Sequence, residues 1–247
     1  QPQVNKWMVA TTVMLPVLIE IMDMTIVNVS LRHIQGSLSA GLEEVTWVLT
    51  SYLVSNAIVI PATGWLASLI GRKRYLIFSI GLFAFSSLIC GAAWSLGVLL
   101  AFRVVQGIGG GALQPLSLAT LLEAFPPRER GMAMAIFGMG VVFGPILGPI
   151  LGGWITDNLS WRWIFYINIP IGVIASILAV MFVFDPPYVR RRPARIDYLG
   201  LTLLVLGIGS LQVMLDRGEM EDWFSSTQVI LLAVVALICL VALVIWE

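Results

Sequence analysis

An all-α polytopic membrane protein with eight membrane-crossing helices is the fold class this sequence predicts. Three observations predict it. The 247 residues are 59% hydrophobic and 11% charged, whereas a soluble domain carries about 25% charged and 45–50% apolar residues. Eight apolar stretches recur along the chain, each close to the ~20 residues a helix needs to cross a bilayer core. The basic residues gather in alternate loops between them, the asymmetry of a chain oriented across a membrane.

The stretches fall at 7–31, 45–67, 75–94, 96–122, 131–155, 163–184, 198–215 and 228–246. The first is longer than the ~7–15-residue apolar core of a cleavable leader. Glycine and proline inside several of them are tolerated in membrane helices, where small residues allow close packing. With the N-terminus in the cytoplasm, Lys6, Arg72, Lys73, Arg74, Arg128, Arg130, Arg190, Arg191, Arg192 and Arg195 lie inside. Arg32, Arg162 and Arg217 lie outside, and Arg103 is left within the membrane. Ten cations against three favour this orientation. The run DPPYVRRRPARID is then an internal, basic, proline-broken linker. It divides a six-helix bundle at 1–184 from a two-helix hairpin at 198–247, with the linker itself at 185–197. The loop DRGEMED of the hairpin is external and acidic.

An internal echo supports that division. GWLASLIGRKR begins at Gly64 and GWITDNLSWRW at Gly153, each at a helix end with a basic residue near its close. Three helices separate the copies, which places them on opposite faces. That is the pattern of an inverted three-plus-three repeat, common in secondary transporters.

Other functions find no support. Cys90 and Cys239 lie in separate apolar stretches and His33 is the single histidine, so neither a disulfide nor a metal framework is expected. GxSxG and HExxH are absent, and the protein reads as a transporter rather than an enzyme. The glycine run QGIGGGA lies inside a membrane stretch and lacks the lysine of a phosphate-binding loop. The basic clusters follow topology and do not form a nucleic-acid surface. No cofactor is expected.

Charged residues inside the membrane carry the functional reading, since burying one costs at least ~2.5–3.5 kcal/mol and demands a partner. IEIMDMTIV, in the first stretch, holds Glu20 and Asp23. Asp23 lies eight residues before the predicted helix end at 31, and Arg103 eight residues after Ser95. At 1.5 Å per residue both sit ~12 Å below the outer surface. Glu20 and Gln106 lie one turn deeper on the same faces, so Glu20, Asp23, Arg103 and Gln106 are expected to form one polar cluster. A carboxylate that keeps its arginine stays ionised, and one that loses it in an apolar site takes up a proton. The pair therefore reads as a protonation switch; a static tie between helices is the alternative.

Two further motifs concern movement. In GWLASLIGRKR, Gly64 and Gly71 allow a tight turn. Arg72 and Lys73 can reach helix C-terminal carbonyls or acids on a neighbour. The loop is either a gate latch or simply a positive-inside anchor. In GMGVVFGPILGPILGG, Gly140, Gly144, Gly148 and Gly152 recur every four residues and make one smooth face. Pro145 and Pro149 each remove an internal hydrogen bond. Such a helix suits sliding against a partner, or tight static packing.

Together these residues resemble the major facilitator superfamily, a fold of two six-helix halves. GWLASLIGRKR looks like its loop between helices 2 and 3. LLAFRVVQGIGGGALQP looks like its helix 4 motif, with the arginine at Arg103. GMGVVFGPILGPILGG looks like the antiporter motif of helix 5, which implies efflux. DMTIVNVSL and WRWIFYINIPIG are similar to the 14-helix drug:proton antiporter branch, in which two extra helices link the halves. GIGSLQVMLDRGEMEDWFSS, at 207–226, narrows the resemblance to multidrug exporters of Gram-negative inner membranes. The resemblance implies an N-terminal half plus linker helices, with a further six-helix bundle beyond this chain. It also implies a periplasmic adaptor of the EmrA type and an outer-membrane channel of the TolC type. One departure is Ser68, where the family usually has an aspartate that braces the gate. Glu20 is not part of the family motif and is a candidate second proton site.

The expected function is proton-coupled efflux of hydrophobic or amphipathic drugs, with Asp23, Arg103 and Glu20 coupling the proton. Asn28, Tyr52, Asn56, Gln106 and Gln114, polar residues in apolar helices, are expected to line the substrate cavity. The alternatives are an exporter of a nutrient or metabolite on the same scaffold, and a non-transporting membrane scaffold.

Overall fold

The computed structural model describes residues 5–185 and 197–246. The basic linker predicted at 185–197 therefore lies outside the described residues, apart from its two ends. Ten α-helices form eight spans long and apolar enough to cross a membrane. They are α1 (Lys6–Leu38), α2 (Leu42–Ile70), α3 (Arg72–Ala92), α4 (Leu96–Gly110), α5 (Leu113–Ala124), α6 (Arg130–Asn158), α7 (Trp163–Tyr166), α8 (Asn168–Phe182), α9 (Tyr198–Arg217) and α10 (Thr227–Trp246). The fourth span joins α4 to α5, and the sixth joins α7 to α8. No strand occurs among the described residues.

Each predicted stretch is a span, with three differences. First, α1 runs to Leu38 instead of ending near 31, so Arg32 is a helix residue and not a loop residue. Ile34 is fully buried and pins this extension. Ser39, in the left-handed region at φ 50°, then closes the helix by donating its N–H to Gln35 O. Second, the fourth span is interrupted at Gly111 and Ala112. A Cβ at Gly107 would lie 2.5 Å from Tyr52 O, and one at Gly111 2.7 Å from Asn56 O. The glycine run thus lets α4 rest on the α2 backbone. Third, the sixth span breaks at Ile167. Pro170 has no N–H to offer the carbonyl of Tyr166 four residues before it. By contrast, α6 continues as a helix through both Pro145 and Pro149.

Gly140, Gly144, Gly148 and Gly152 of α6 all face α1. A Cβ at Gly144 would lie 2.5 Å from Ile21, one at Gly152 3.2 Å from Ile26, and those at Gly140 and Gly148 would collide with Met14 and Thr25. This face therefore fixes the position of the helix that carries both acids. The interior holds two apolar clusters. One includes Val13, Ile19, Leu121 and Phe125 toward the N-terminal end, and the other Met22, Val48, Leu99 and Phe165 toward the opposite end. Glu20 and Asp23 sit at the seam between them.

The echo in the sequence has a structural counterpart. Lys73, after the second span, donates from Nζ to Val180 O near the end of α8 at 2.6 Å. Arg162, after the fifth, donates from Nη1 to Gly91 O and Ala93 O at the end of α3 at 2.9 and 2.6 Å. In each three-helix unit a cation thus caps a helix C-terminus in the other unit, at opposite ends of the bundle. The α9–α10 hairpin packs on α2. Gly209 faces Ile58 and Val54, the Thr50 hydroxyl hydrogen-bonds to Asp216, and the Arg217 guanidinium lies over the Trp47 ring at 4.7 Å. The Trp246 indole N–H donates to Asp197 at 2.7 Å and closes the far end of the hairpin.

Gly148→Val in the complete protein is expected to cost about 1–3 kcal/mol through overpacking against Thr25, whereas Gly153→Ala, where a Cβ meets nothing within 4 Å, should be neutral. Thermal unfolding in detergent separates the two.

Candidate functional site

Five spans meet at Asp23. The Arg103 Nη1 on α4 donates to Asp23 Oδ2 at 2.5 Å. Gln106, one turn along α4, donates to Oδ1 at 3.0 Å, and Asn168 on α8 donates to the same oxygen at 2.8 Å. Ser87 on α3 accepts from Gln106 at 3.3 Å and from Asn168 at 3.1 Å, and gives its own proton to Phe165 O at 2.9 Å. Arg103 is held in turn. Its Nε donates to Val48 O of α2 at 3.0 Å and its Nη1 also to Gln106 Oε1 at 2.8 Å. The guanidinium carbon lies 4.2 Å from the Tyr52 ring centroid. Asp23 is 1% exposed and Arg103 0%. Arg103 Nη2 is buried with no hydrogen-bond partner.

Glu20 faces a different set. Three residues along a helix turn the side chain by about 300°, so the two acids diverge by roughly one sixth of a turn. Glu20 accepts from Gln114 Nε2 on α5 at 2.7 Å, and from Asn56 Nδ2 and the Tyr52 hydroxyl on α2 at 3.1 and 3.4 Å. It is 1% exposed. Among the described residues it has no cation within ion-pair distance, and all its donors are neutral. The single cluster expected from depth is therefore two abutting clusters. Tyr52 joins them, with its ring against Arg103 and its hydroxyl on Glu20. In total the buried site holds two carboxylates and one guanidinium.

The sequence-predicted residues divide accordingly. Asp23, Arg103 and Gln106 meet as expected. Tyr52, Asn56 and Gln114 meet around Glu20, and of these only Gln114 is half-buried rather than buried. Asn28 is exposed and joins neither cluster. The equal-depth count also needs correction, because α1 overshoots: Asp23 lies fifteen residues before its true end at Leu38. Asn168 and Ser87 were given no role from the sequence. Asn168 stands in WRWIFYINIPIG as a polar residue in an apolar helix, which is the signal that finds it; one serine among several on α3 carries no such signal.

The gating-loop residues lie at the N-terminal end of the bundle. Gly71, at φ 92°, ends α2 and starts α3 in a single residue. Arg72 pairs with Glu123 at the end of α5. The Lys73 backbone N–H donates to Asp185 Oδ1 at 2.8 Å, beside its Nζ bond to α8. Lys6 pairs with Glu129 at the same end. Gly64 is an exposed position inside α2 with nothing close to it. Ser68 bonds to Trp65 O at 2.7 Å, within its own helix.

These elements define a multi-pass membrane protein. The family model of the Major Facilitator Superfamily matches residues 13–246, and the chain belongs to that family. The multidrug export protein EmrB of Haemophilus influenzae is 50% identical over 229 residues, 92% of this chain and 44% of that protein. The fatty acid resistance protein FarB of Neisseria gonorrhoeae is 44% identical over 233 residues, 94% of this chain and 46% of that protein. The chain thus spans less than half the length of these relatives. The solved proton:xylose symporter XylE, with 6-bromo-6-deoxy-D-glucose bound, superposes with a TM-score of 0.66 at 16% identity, over 88% of this chain and 54% of that one. That likeness shows a shared fold.

Breaking a buried ion pair by removing one partner costs about 3–5 kcal/mol, while replacing both partners with apolar residues is often close to neutral. Arg103→Met in the complete protein should therefore destabilise by that amount, and Asp23→Leu with Arg103→Met should recover most of it. Thermal and denaturant unfolding of the two variants measures the difference.

Proposed function

We propose that this chain is the N-terminal half, with linker helices, of a proton-coupled exporter of hydrophobic and amphipathic drugs. It would sit in the inner membrane with its N-terminus in the cytoplasm. The observation that carries the reading is the charge count of the buried site. Arg103 neutralises Asp23, and Glu20, held by neutral donors, needs a second positive charge. Buried unpaired charges are expensive in a membrane interior, so a proton is the natural occupant. When the bundle rearranges and Arg103 leaves Asp23, the requirement moves between the two acids. Proton uptake and release are thereby tied to conformation, which is what coupling by alternating access requires.

Several observations support the efflux direction and the substrate class. The relatives' names speak of multidrug export and of fatty acid resistance, and a fatty acid is an amphipathic compound. An apolar cleft of about 380 Å³ opens between α1 and α6, lined by Trp7, Ala10, Met14, Leu15, Leu18 and Ile136. Of the five polar residues expected to line the cavity, Gln114 and Asn28 have the exposure a substrate needs in this state. Tyr52, Asn56 and Gln106 serve the acids and would become available only when the clusters open. The brace of Arg72 and Lys73 onto α5 and α8 ties three spans at the N-terminal end, as a gate latch would. A periplasmic adaptor and an outer-membrane channel, of the EmrA and TolC types, are the partners this reading implies. The acidic loop between α9 and α10, with Met220 and Phe224 exposed, is the surface that would meet the adaptor.

In inverted vesicles containing the complete transporter, Asp23→Asn is expected to abolish efflux driven by a proton gradient while drug binding persists. Efflux at the wild-type rate in Asp23→Asn would remove Asp23 from the coupling mechanism.

A further inference from the structure

A crevice of about 640 Å³ lies between α2, α9 and α10, at the end of the bundle opposite the N-terminus. The transport reading assigns the neighbouring loop to the adaptor and gives the crevice itself no role. Its lining changes character with depth. Glu43, Arg217 and Glu221 stand at the helix ends, while Val213, Leu231 and Leu232 lie about one turn further in. Trp47, also in the lining, stands one turn along α2 from Glu43, the position of an interfacial aromatic belt.

Arg217 is the one cation in this lining. Its face is held over Trp47 at 4.7 Å, and it lies 3.8 Å from the Glu221 carboxylate, too far for a hydrogen bond. The guanidinium is therefore positioned by packing over Trp47 and by an ion pair with Glu221 that is too long to use its N–H groups as hydrogen-bond donors. Such a guanidinium suits a phosphate. The acids beside it suit a cation. A crevice of about 640 Å³ between membrane helices has room for a molecule.

We propose that this crevice binds one amine-headgroup phospholipid, of the phosphatidylethanolamine kind. The phosphate lies on Arg217, the ammonium lies between Glu43 and Glu221, and an acyl chain runs down Val213, Leu231 and Leu232. The order of groups along the crevice (charged, interfacial, apolar) is the order of groups along the lipid. An anionic headgroup without an amine would bring its phosphate to Arg217 but leave both acids unmatched. A bound lipid here would join the linker hairpin to α2 across a gap that side chains do not fill.

The test uses the complete transporter, delipidated in detergent. It is then exposed to equal amounts of phosphatidylethanolamine, phosphatidylglycerol and phosphatidylcholine with matched chains. Native mass spectrometry reads the lipid retained. Phosphatidylethanolamine is expected to exceed phosphatidylglycerol by about tenfold, the ratio of a 1.4 kcal/mol difference. R217A should weaken retention of all three lipids, R217K should keep most of it, and E43Q with E221Q should retain the three lipids about equally. Should R217A lose its helical circular dichroism, the R217K and E43Q/E221Q comparisons carry the test. Equal retention of the three lipids by the wild type overturns the proposal. So does an unchanged preference in E43Q/E221Q, unchanged retention in R217A, or a lipid-free dimer formed through this face.

Discussion

The structure depends on a charge imbalance at the seam of its two apolar clusters. Asp23 and Arg103 neutralise one another at 2.5 Å with no exposed surface to speak of, and that contact joins α1 to α4. Everything near it is arranged to hold one of the two groups. Gln106 and Asn168 hold Asp23; Val48 O and the Tyr52 ring hold Arg103. Glu20, three residues earlier on the same helix, shares the burial and not the cation. A membrane interior strengthens electrostatic interactions, so a surplus carboxylate there is a strong constraint on the states available. The protein has to supply a positive charge or rearrange.

The scaffold around this site is rigid in some places and smooth in others. At the N-terminal end Lys73 caps α8, and at the opposite end Arg162 caps α3. Both crosslinks join one three-helix unit to the other at its ends. The glycine face of α6 seats α1 closely enough that Cβ atoms would clash with Met14, Ile21 and Thr25. The linker hairpin is attached more locally, through Thr50 with Asp216 and Trp47 with Arg217 near one end. That attachment leaves the crevice beside α10 open.

Much of this was legible in the sequence because it follows from one-dimensional patterns. Apolar length gave the eight spans. Matching distances from helix ends brought Asp23 and Arg103 together across eighty positions. That success was partly fortunate, since α1 extends to Leu38 and the true count from its end is fifteen. The extension SLRHIQGSL is too polar for a hydropathy reading and is held by tertiary burial of Ile34. The split of the site into two clusters depends on angular position around α1 and on which neighbours pack there. Polarity alone placed Tyr52, Asn56 and Gln114 in a cavity, where the fold uses them as ligands of Glu20. Asn28 has the same polarity, is exposed, and joins neither cluster. Ser87 had no distinguishing signal, because its role comes from where α3 meets α4 and α8.

The central claim is that this buried site carries one guanidinium for two acids, so that in this state Glu20 holds the exchangeable proton. Infrared spectroscopy of the complete transporter, in the carboxyl stretching region, tests it directly. The account predicts a protonated-carboxyl band that disappears in Glu20→Gln and persists in Asp23→Asn. A band that survives Glu20→Gln, or that is lost only in Asp23→Asn, would contradict it.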